Sequence, residues 1–156
     1  MGHCMKTDTG NPLARSPIHL LHRASQAVEV VFATGMQAND LAPHQLAVLV
    51  AVAEHEGLSQ TDLVERTGID RSTLADVVKR LKGKGLLQRR RTKEDARAYA
   101  VKLTEAGQRV LRTAEPLAKR VDERILDALP AKQRHQFMGA LAAIVSTLQR
   151  AAPAVL

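Results

Sequence analysis

Apolar residues recur along much of the chain at the three- and four-residue spacing that places them on one face of a helix. Ser16 and Pro17 are good first residues for one such helix. A longer pattern starts at Thr104 and passes through Pro116, where we expect a bend or an interruption because proline cannot donate a helical hydrogen bond. The apolar arc of the first helix consists of Leu20, Leu21, Ala24, Ala27, Val28, Val31 and Phe32.

Two more helices are predicted between and after these patterns. Pro43 opens one, in which residues 46–53 are apolar all round, as expected for a helix that is buried on every side. The other starts at about Ala131 and is expected to bury five apolar side chains, namely Phe137, Leu141, Ile144, Val145 and Leu148. The N-terminal dozen residues show no periodicity and predict a loose tail.

The stretch between residues 58 and 107 carries the most local signals. Ser59 and Asp62 have the spacing of a capping box, and Gly68 is placed to end that short helix in a left-handed conformation. Asp70 can then cap a second helix, whose buried stripe is Leu74, Val77, Val78 and Leu81. Two short capped helices in this order predict a helix-turn-helix.

The opposite face of the second helix is suited to DNA. Small and hydroxyl side chains there permit close approach to base edges, and basic flanks suit the phosphates. The negative charge of Asp76 is unfavourable beside DNA unless the carboxylate accepts a hydrogen bond from a cytosine amino group or holds Arg80, one helical turn on, in position for a phosphate. The alternative is a merely solvated helix surface. The face consists of Ser72, Ala75, Asp76 and Lys79, flanked by Arg71, Thr73, Arg80 and Lys82.

A basic hairpin follows. Leu86 to Arg91 is compatible with a strand, residues 92–98 are polar, and Tyr99, Val101 and Leu103 alternate with Ala100 and Lys102. Residues 70–97 hold ten basic and four acidic side chains, a net charge of +6 against +7 for the whole chain. Positive charge concentrated on one module indicates a polyanionic partner.

These signals predict a mainly α fold with a small β-hairpin wing. We expect a flexible tail over residues 1–14 and a single domain over 15–156. Within it, a winged helix-turn-helix core spans about 43–104, and dimerisation helices span about 16–35 and 104–152. The outlying helices carry more apolar surface than one small module covers, which predicts a two-fold homodimer that binds two half-sites of a pseudo-palindrome.

The segment DRSTLADVVKRLKGKGLLQRRRTKEDARAYAVKLTEAG resembles the core of the MarR family of bacterial transcription regulators. The matching features are the Gly85-Leu86 step, the basic strand, the Asp-x-Arg wing tip and the Leu-Thr-x-x-Gly closure. The resemblance implies a repressor whose Arg97 enters the minor groove while Asp95 holds it. The candidate DNA-binding residues are Arg71, Ser72, Thr73, Asp76, Lys79, Arg80, Arg89, Arg91, Lys93, Asp95 and Arg97.

The resemblance also implies release from DNA by a small effector bound between the dimerisation helices and the winged module. His19, Arg23 and His44 are the candidate ligand residues, since a guanidinium suits a carboxylate and Arg23 lies one turn after His19. The alternative is that Arg23 forms a structural salt bridge and that His19 is a surface residue. The segment HLLHRASQAVEVVF resembles first helices of members that respond to aromatic acids or their coenzyme A thioesters.

Other functions are open at this stage. His19 and His22 have a spacing that could serve a metal sensor, and Cys4 is the only cysteine for an oxidant sensor. A non-specific architectural DNA-binding protein would keep the basic module. Catalytic motifs are absent, so we expect no enzyme and no cofactor. No apolar run of about 18 residues and no export leader occur, which predicts a cytoplasmic protein.

Overall fold

A computed structural model describes residues 10–91 and 99–151. A 3₁₀ turn at Pro12–Arg15, which overlaps the end of the predicted tail, precedes the first helix. The mainly helical fold with one two-stranded antiparallel hairpin confirms the predicted class. In chain order the elements are α1 (Pro17–Gly35), α2 (Pro43–Glu54), α3 (Gln60–Thr67), α4 (Arg71–Gly83), β1 (Leu87–Arg91), β2 (Tyr99–Leu103), α5 (Glu105–Leu126) and α6 (Ala131–Ala151). None of the helices in these ranges is long and apolar enough to cross a membrane.

The helix-turn-helix forms through the predicted caps. The Ser59 N–H donates to Asp62 Oδ2 at 2.9 Å, and the Asp62 N–H donates to Ser59 Oγ at 3.1 Å. Gly68 ends α3 with a φ of 68°, a conformation that costs glycine little. The N–H of Thr73 donates to Asp70 Oδ1 at 2.9 Å and starts α4. The first turn of each helix is therefore stabilised by the side chain of its N-cap residue, which accepts from an N–H three positions later.

Hydrogen bonding at these caps favours ionised carboxylates. The hydroxyl and the backbone N–H of Ser59 lower the pKa of Asp62. Hydrogen bonds from the side chain and the backbone of Thr73 lower the pKa of Asp70. Both caps are therefore at full strength only where the two aspartates are charged.

The hairpin is tied to the start of α5. Leu87 pairs with Leu103, and Arg91 pairs with Tyr99. The Thr104 hydroxyl donates to the carbonyl oxygen of Gly85 at 2.6 Å. A Cβ on Gly107 would overlap the carbonyl oxygen of Leu86, so the close packing of α5 against the hairpin requires glycine there. The alternation along β2 predicts that Tyr99 faces the core and Ala100 faces solvent. This is wrong at the start of the strand, because Ala100 is buried whereas Tyr99 is exposed.

The core lies around α2, which packs against α3, α4, α5 and β2. Val48, Leu49 and Val52 are completely enclosed or nearly so. The expectation of burial on every side is wrong for Ala47 and Ala53, which are exposed. Of the bend or interruption predicted at Pro116, the interruption is wrong, because α5 continues through that residue.

The outlying helices leave their apolar faces uncovered in the single chain. Phe32 is the only fully buried residue of α1, and α6 has none among its described side chains. The predicted burial by α6 is therefore wrong for the chain alone, in which Leu141 is half-buried. The exposed large apolar residues of the two helices are Ile18, Leu20, Leu21, Val30, Phe137, Met138, Ile144, Val145 and Leu148.

Candidate nucleic-acid interface

The exposed face of α4 carries the predicted base-contacting side chains. Ser72, Asp76 and Lys79 are exposed, and Thr73 is half-buried. This exposure results from the burial of Leu74, Val77, Val78 and Leu81 on the opposite side of the helix. The face thus offers a hydroxyl, a carboxylate and an ammonium group to a partner.

Basic side chains flank this face. Arg71 is exposed, and its Nη2 lies 3.5 Å from Thr61 Oγ1 on α3. Arg80 and Lys82 are exposed near the other end of α4. The structure describes both Asp76 and Arg80 but shows no ion pair between them, so that predicted pairing is not observed. The Asp76 side chain is exposed on this face.

The hairpin extends the basic surface away from α4. Arg89 and Arg91 are exposed on β1, together with Arg90. The Arg89 guanidinium lies over the ring of Tyr99, 5.9 Å from its centroid. The predicted wing-tip residues Lys93, Asp95 and Arg97 fall in residues 92–98, outside the described part of the chain.

A cleft of about 790 Å³ lies at the C-terminal end of α4, the predicted recognition helix of the helix-turn-helix, between the end of α1 and the start of α2. Its apolar lining includes Phe32 and Leu41, and its polar lining includes His44, Arg80 and Lys84. The lining residues are Glu29, Phe32, Ala33, Asp40, Leu41, Ala42, Pro43, His44, Gln45, Arg80, Gly83 and Lys84. The cleft can therefore hold a small molecule with an apolar body and an anionic group.

Polar contacts define the cleft. Lys84 Nζ donates to the Asp40 carbonyl oxygen at 2.6 Å and to its carboxylate at 3.2 Å, which joins the loop before α2 to the end of α4. Gln45 is 7% exposed, and its Oε1 accepts from the Ala42 N–H at 3.1 Å. The Gln45 oxygen is thus fixed by the helix cap, while the side chain lines the cleft.

The three predicted ligand residues do not meet in this cleft. His44 lines it, but His19 and Arg23 lie on the N-terminal half of α1 and do not line it. His19 is half-buried and Arg23 is exposed. His22 lines a separate apolar groove, together with Ile144 and Leu148 of α6. No group of three metal-ligating side chains occurs within residues 10–91 and 99–151, so the metal-sensing alternative gains no support there.

Sequence reasoning missed several residues of these surfaces. In the sequence, Lys84 contributes only to the net charge of the module. Its contact with Asp40 joins residues 44 positions apart, which no local pattern shows. Gln45 occupies the third position of α2, where a side chain that reaches back to the cap is common, so that signal was present. The pattern around Tyr99 predicts only a strand and does not indicate its position beside Arg89.

Comparisons with known proteins agree with this geometry. A profile of the MarR family matches residues 39–98. The transcriptional regulator HosA of Escherichia coli O127:H6 is 34% identical over 108 residues, which cover 69% of this chain and 80% of HosA. The structure of BpsR from Bordetella bronchiseptica, whose DNA binding is regulated by 6-hydroxynicotinic acid, matches with a TM-score of 0.79 and 27% identity and covers 84% of this chain and 94% of BpsR.

A DNA complex is also among the similar structures. The repressor CouR bound to a 23-mer DNA duplex matches with a TM-score of 0.77 and 29% identity. The match covers 85% of this chain and 94% of the CouR chain. The similarity therefore extends beyond the winged module to the outlying helices.

Proposed function

This chain belongs to the MarR family of transcriptional regulators, and from this membership we propose that it is a homodimeric repressor that binds a pseudo-palindromic operator and is released by a small aromatic acid or its coenzyme A thioester. The proposed role is regulatory and not catalytic. The observation that carries the proposal is the exposed face of α4, whose Ser72, Asp76 and Lys79 stand between basic flanks beside a basic hairpin.

Binding of duplex DNA follows from the chemistry of that face. A helix of this width fits the major groove, where hydroxyl, carboxylate and ammonium groups can distinguish base edges. Arg71 and Arg89 both lie near the α3 N-terminus, where they suit backbone phosphates. CouR, which is similar over most of this chain, is a repressor seen on a DNA duplex.

The proposed dimer would cover the apolar faces of α1 and α6. Ile18 is 79% exposed, Val30 67% and Leu148 61%, which is unusual for so many large apolar side chains on two neighbouring helices. A second copy with the same face is the simplest cover, because a two-fold contact uses the same patch on both chains. Such a dimer also presents two copies of α4 to two half-sites.

We place the proposed effector in the cleft of about 790 Å³ beside α4. Phe32 and Leu41 would contact the ring of an aromatic acid, and His44 and Arg80 would face its carboxylate. Arg80 also belongs to the proposed DNA surface, so that an effector carboxylate and a DNA phosphate compete for one guanidinium. BpsR, which is similar in structure, responds to an aromatic acid, 6-hydroxynicotinic acid. His19 and Arg23 stay predictions.

The test uses a fluorescent duplex from the upstream region of the gene, with a random-sequence duplex as competitor. Preference for the upstream duplex supports a regulator, and equal affinity for both would point to an architectural protein instead. Addition of p-coumarate, and separately of its coenzyme A thioester, should release the bound protein. Release by neither compound would contradict the proposed effector class.

Matched histidine variants test the location of the effector. His44→Ala removes a cleft residue, whereas His55→Ala removes an exposed histidine at the other end of α2. We expect His44→Ala to raise the effector concentration needed for release and His55→Ala to leave it unchanged. Equal responses of the two variants would argue against this cleft.

A further inference from the structure

The base of the hairpin forms a small surface with the N-terminal end of α3. A cleft of about 320 Å³ separates them and is lined by Ser59, Gln60, Thr61, Arg89, Tyr99 and Val101. Within this lining, Arg89 is a cation and Tyr99 is an aromatic ring. The guanidinium carbon lies over the ring, 5.9 Å from its centroid, which is within the range of a cation–π interaction.

The backbone holds this surface in place. Val101 is 1% exposed, and its N–H donates to the carbonyl oxygen of Leu58 at 3.0 Å, directly before α3. Val101 also pairs with Arg89 across the hairpin, and Tyr99 pairs with Arg91. The ring of Tyr99 is nevertheless 45% exposed, so the core does not explain a large aromatic side chain here.

We propose that Tyr99 is a positioning residue for DNA binding, whose ring holds the Arg89 guanidinium at the cleft beside α3, where it pairs with a phosphate of the DNA backbone. The inference rests on the proposed binding of duplex DNA by this face. It goes beyond that function because it assigns a role to an aromatic side chain outside the recognition helix.

The physical advantage is a cation that is ordered before DNA arrives. A free arginine loses side-chain entropy when it is held against a phosphate. A ring within about 6 Å attracts the cation by its quadrupole, which restricts the conformations of the arginine side chain before DNA binds. Attraction to the ring quadrupole uses no hydrogen-bond acceptor, so the guanidinium N–H groups can still donate to phosphate oxygens.

Arg71 also lies beside Thr61 at the N-terminal end of α3, with Nη2 and Oγ1 separated by 3.5 Å. Thr61 and Gln60 line the cleft that also contains Arg89. Two arginines thus lie near the same helix end, each beside a side chain of the protein. We expect both to reach the phosphate backbone of one bound duplex.

The test compares Tyr99→Leu with Tyr99→Phe, which keeps the ring and removes only the hydroxyl. We expect Tyr99→Leu to weaken binding about two- to five-fold, the range for an exposed cation–ring contact, and Tyr99→Phe to bind as the wild type does. The loss should be equal on the upstream duplex and on a random-sequence duplex at low salt, because a phosphate contact carries no sequence information. Unchanged thermal unfolding would show that each variant is folded.

A double-mutant cycle with Arg89→Ala completes the test. If Tyr99 acts through Arg89, Tyr99→Leu causes no further loss in the Arg89→Ala protein. Equal losses from Tyr99→Phe and Tyr99→Leu, a full additional loss in the Arg89→Ala protein, or no loss from Tyr99→Leu would each overturn the inference. These outcomes leave the proposed function intact, whereas a wild-type protein that binds neither duplex overturns both.

Discussion

Leu148→Ala tests whether the apolar face of α6 forms the proposed dimer interface. Leu148 is 61% exposed in the single chain and lines the apolar groove between α6 and the start of α1. Its removal changes this face without touching the winged module. We therefore expect the variant to dissociate more readily, while each chain remains folded.

The size of the effect follows from the exposed fraction. Complete burial of a leucine side chain contributes about 1.5–3 kcal/mol, so covering 61% of Leu148 contributes about 1–2 kcal/mol. A two-fold contact uses the residue twice, which gives about 2–4 kcal/mol for the dimer. Alanine keeps one of the side-chain carbons, so we expect a loss of roughly 1.5–3 kcal/mol and a 10- to 100-fold higher dimer Kd.

Sedimentation velocity from nanomolar to micromolar protein measures this Kd. Gln88→Ala, on the exposed surface of β1, serves as the control and should leave the Kd unchanged. An unchanged Kd for Leu148→Ala would show that the reasoning from exposed apolar area is wrong for α6. A wild-type protein that stays monomeric at micromolar concentration would contradict the homodimer itself.

Three further predictions concern stability and the wing. Gly107→Ala should lower the free energy of unfolding by about 1–3 kcal/mol, and with it the urea midpoint, since its Cβ would overlap the Leu86 carbonyl oxygen; an unchanged midpoint would contradict this. Because the Asp70 pKa is lowered in the folded state, the stability from its charge is present above the unfolded pKa and is lost as the pH falls through the folded value. Asp70→Asn keeps a capping side chain but cannot titrate. Urea unfolding from pH 6 to pH 3, a range that includes the unfolded pKa near 3.9, should therefore show a smaller loss of stability on acidification for the variant than for the wild type. Identical losses would exclude this carboxylate as a cause. Arg97→Ala, motivated by the wing motif, should weaken DNA binding and leave the dimer intact, and unchanged affinity would refute its role in the minor groove.

The local structure of the winged module was predictable from the sequence. Ser59 and Asp62 form the expected capping box, Gly68 adopts the expected left-handed conformation, and Asp70 caps the recognition helix. Each of these interactions joins residues close together in the chain. The resemblance of the module to a known family added the expected fold, and the comparisons confirm the family.

The cleft beside α4 was only partly predictable. His44 was selected from its position at the start of a helix and lines the cleft, whereas the other two candidates, His19 and Arg23, do not line it and stay predictions. Spacing along a helix shows which side chains share a face and gives no information on which helix packs beside it. The approach of Lys84 to Asp40 depends on that packing.

The sequence by itself therefore determined the helix starts, the turns, the buried stripe of α4 and the concentration of positive charge, because capping, turn conformation and helical spacing depend on residues a few positions apart. Only the tertiary structure decided that α5 continues through Pro116, that Tyr99 lies under Arg89 outside the core, and that a cleft opens beside α4. The cleft arises where segments far apart in the chain pack together, and whether a side chain such as Tyr99 is covered or exposed is a property of the packed surfaces and not of the local pattern.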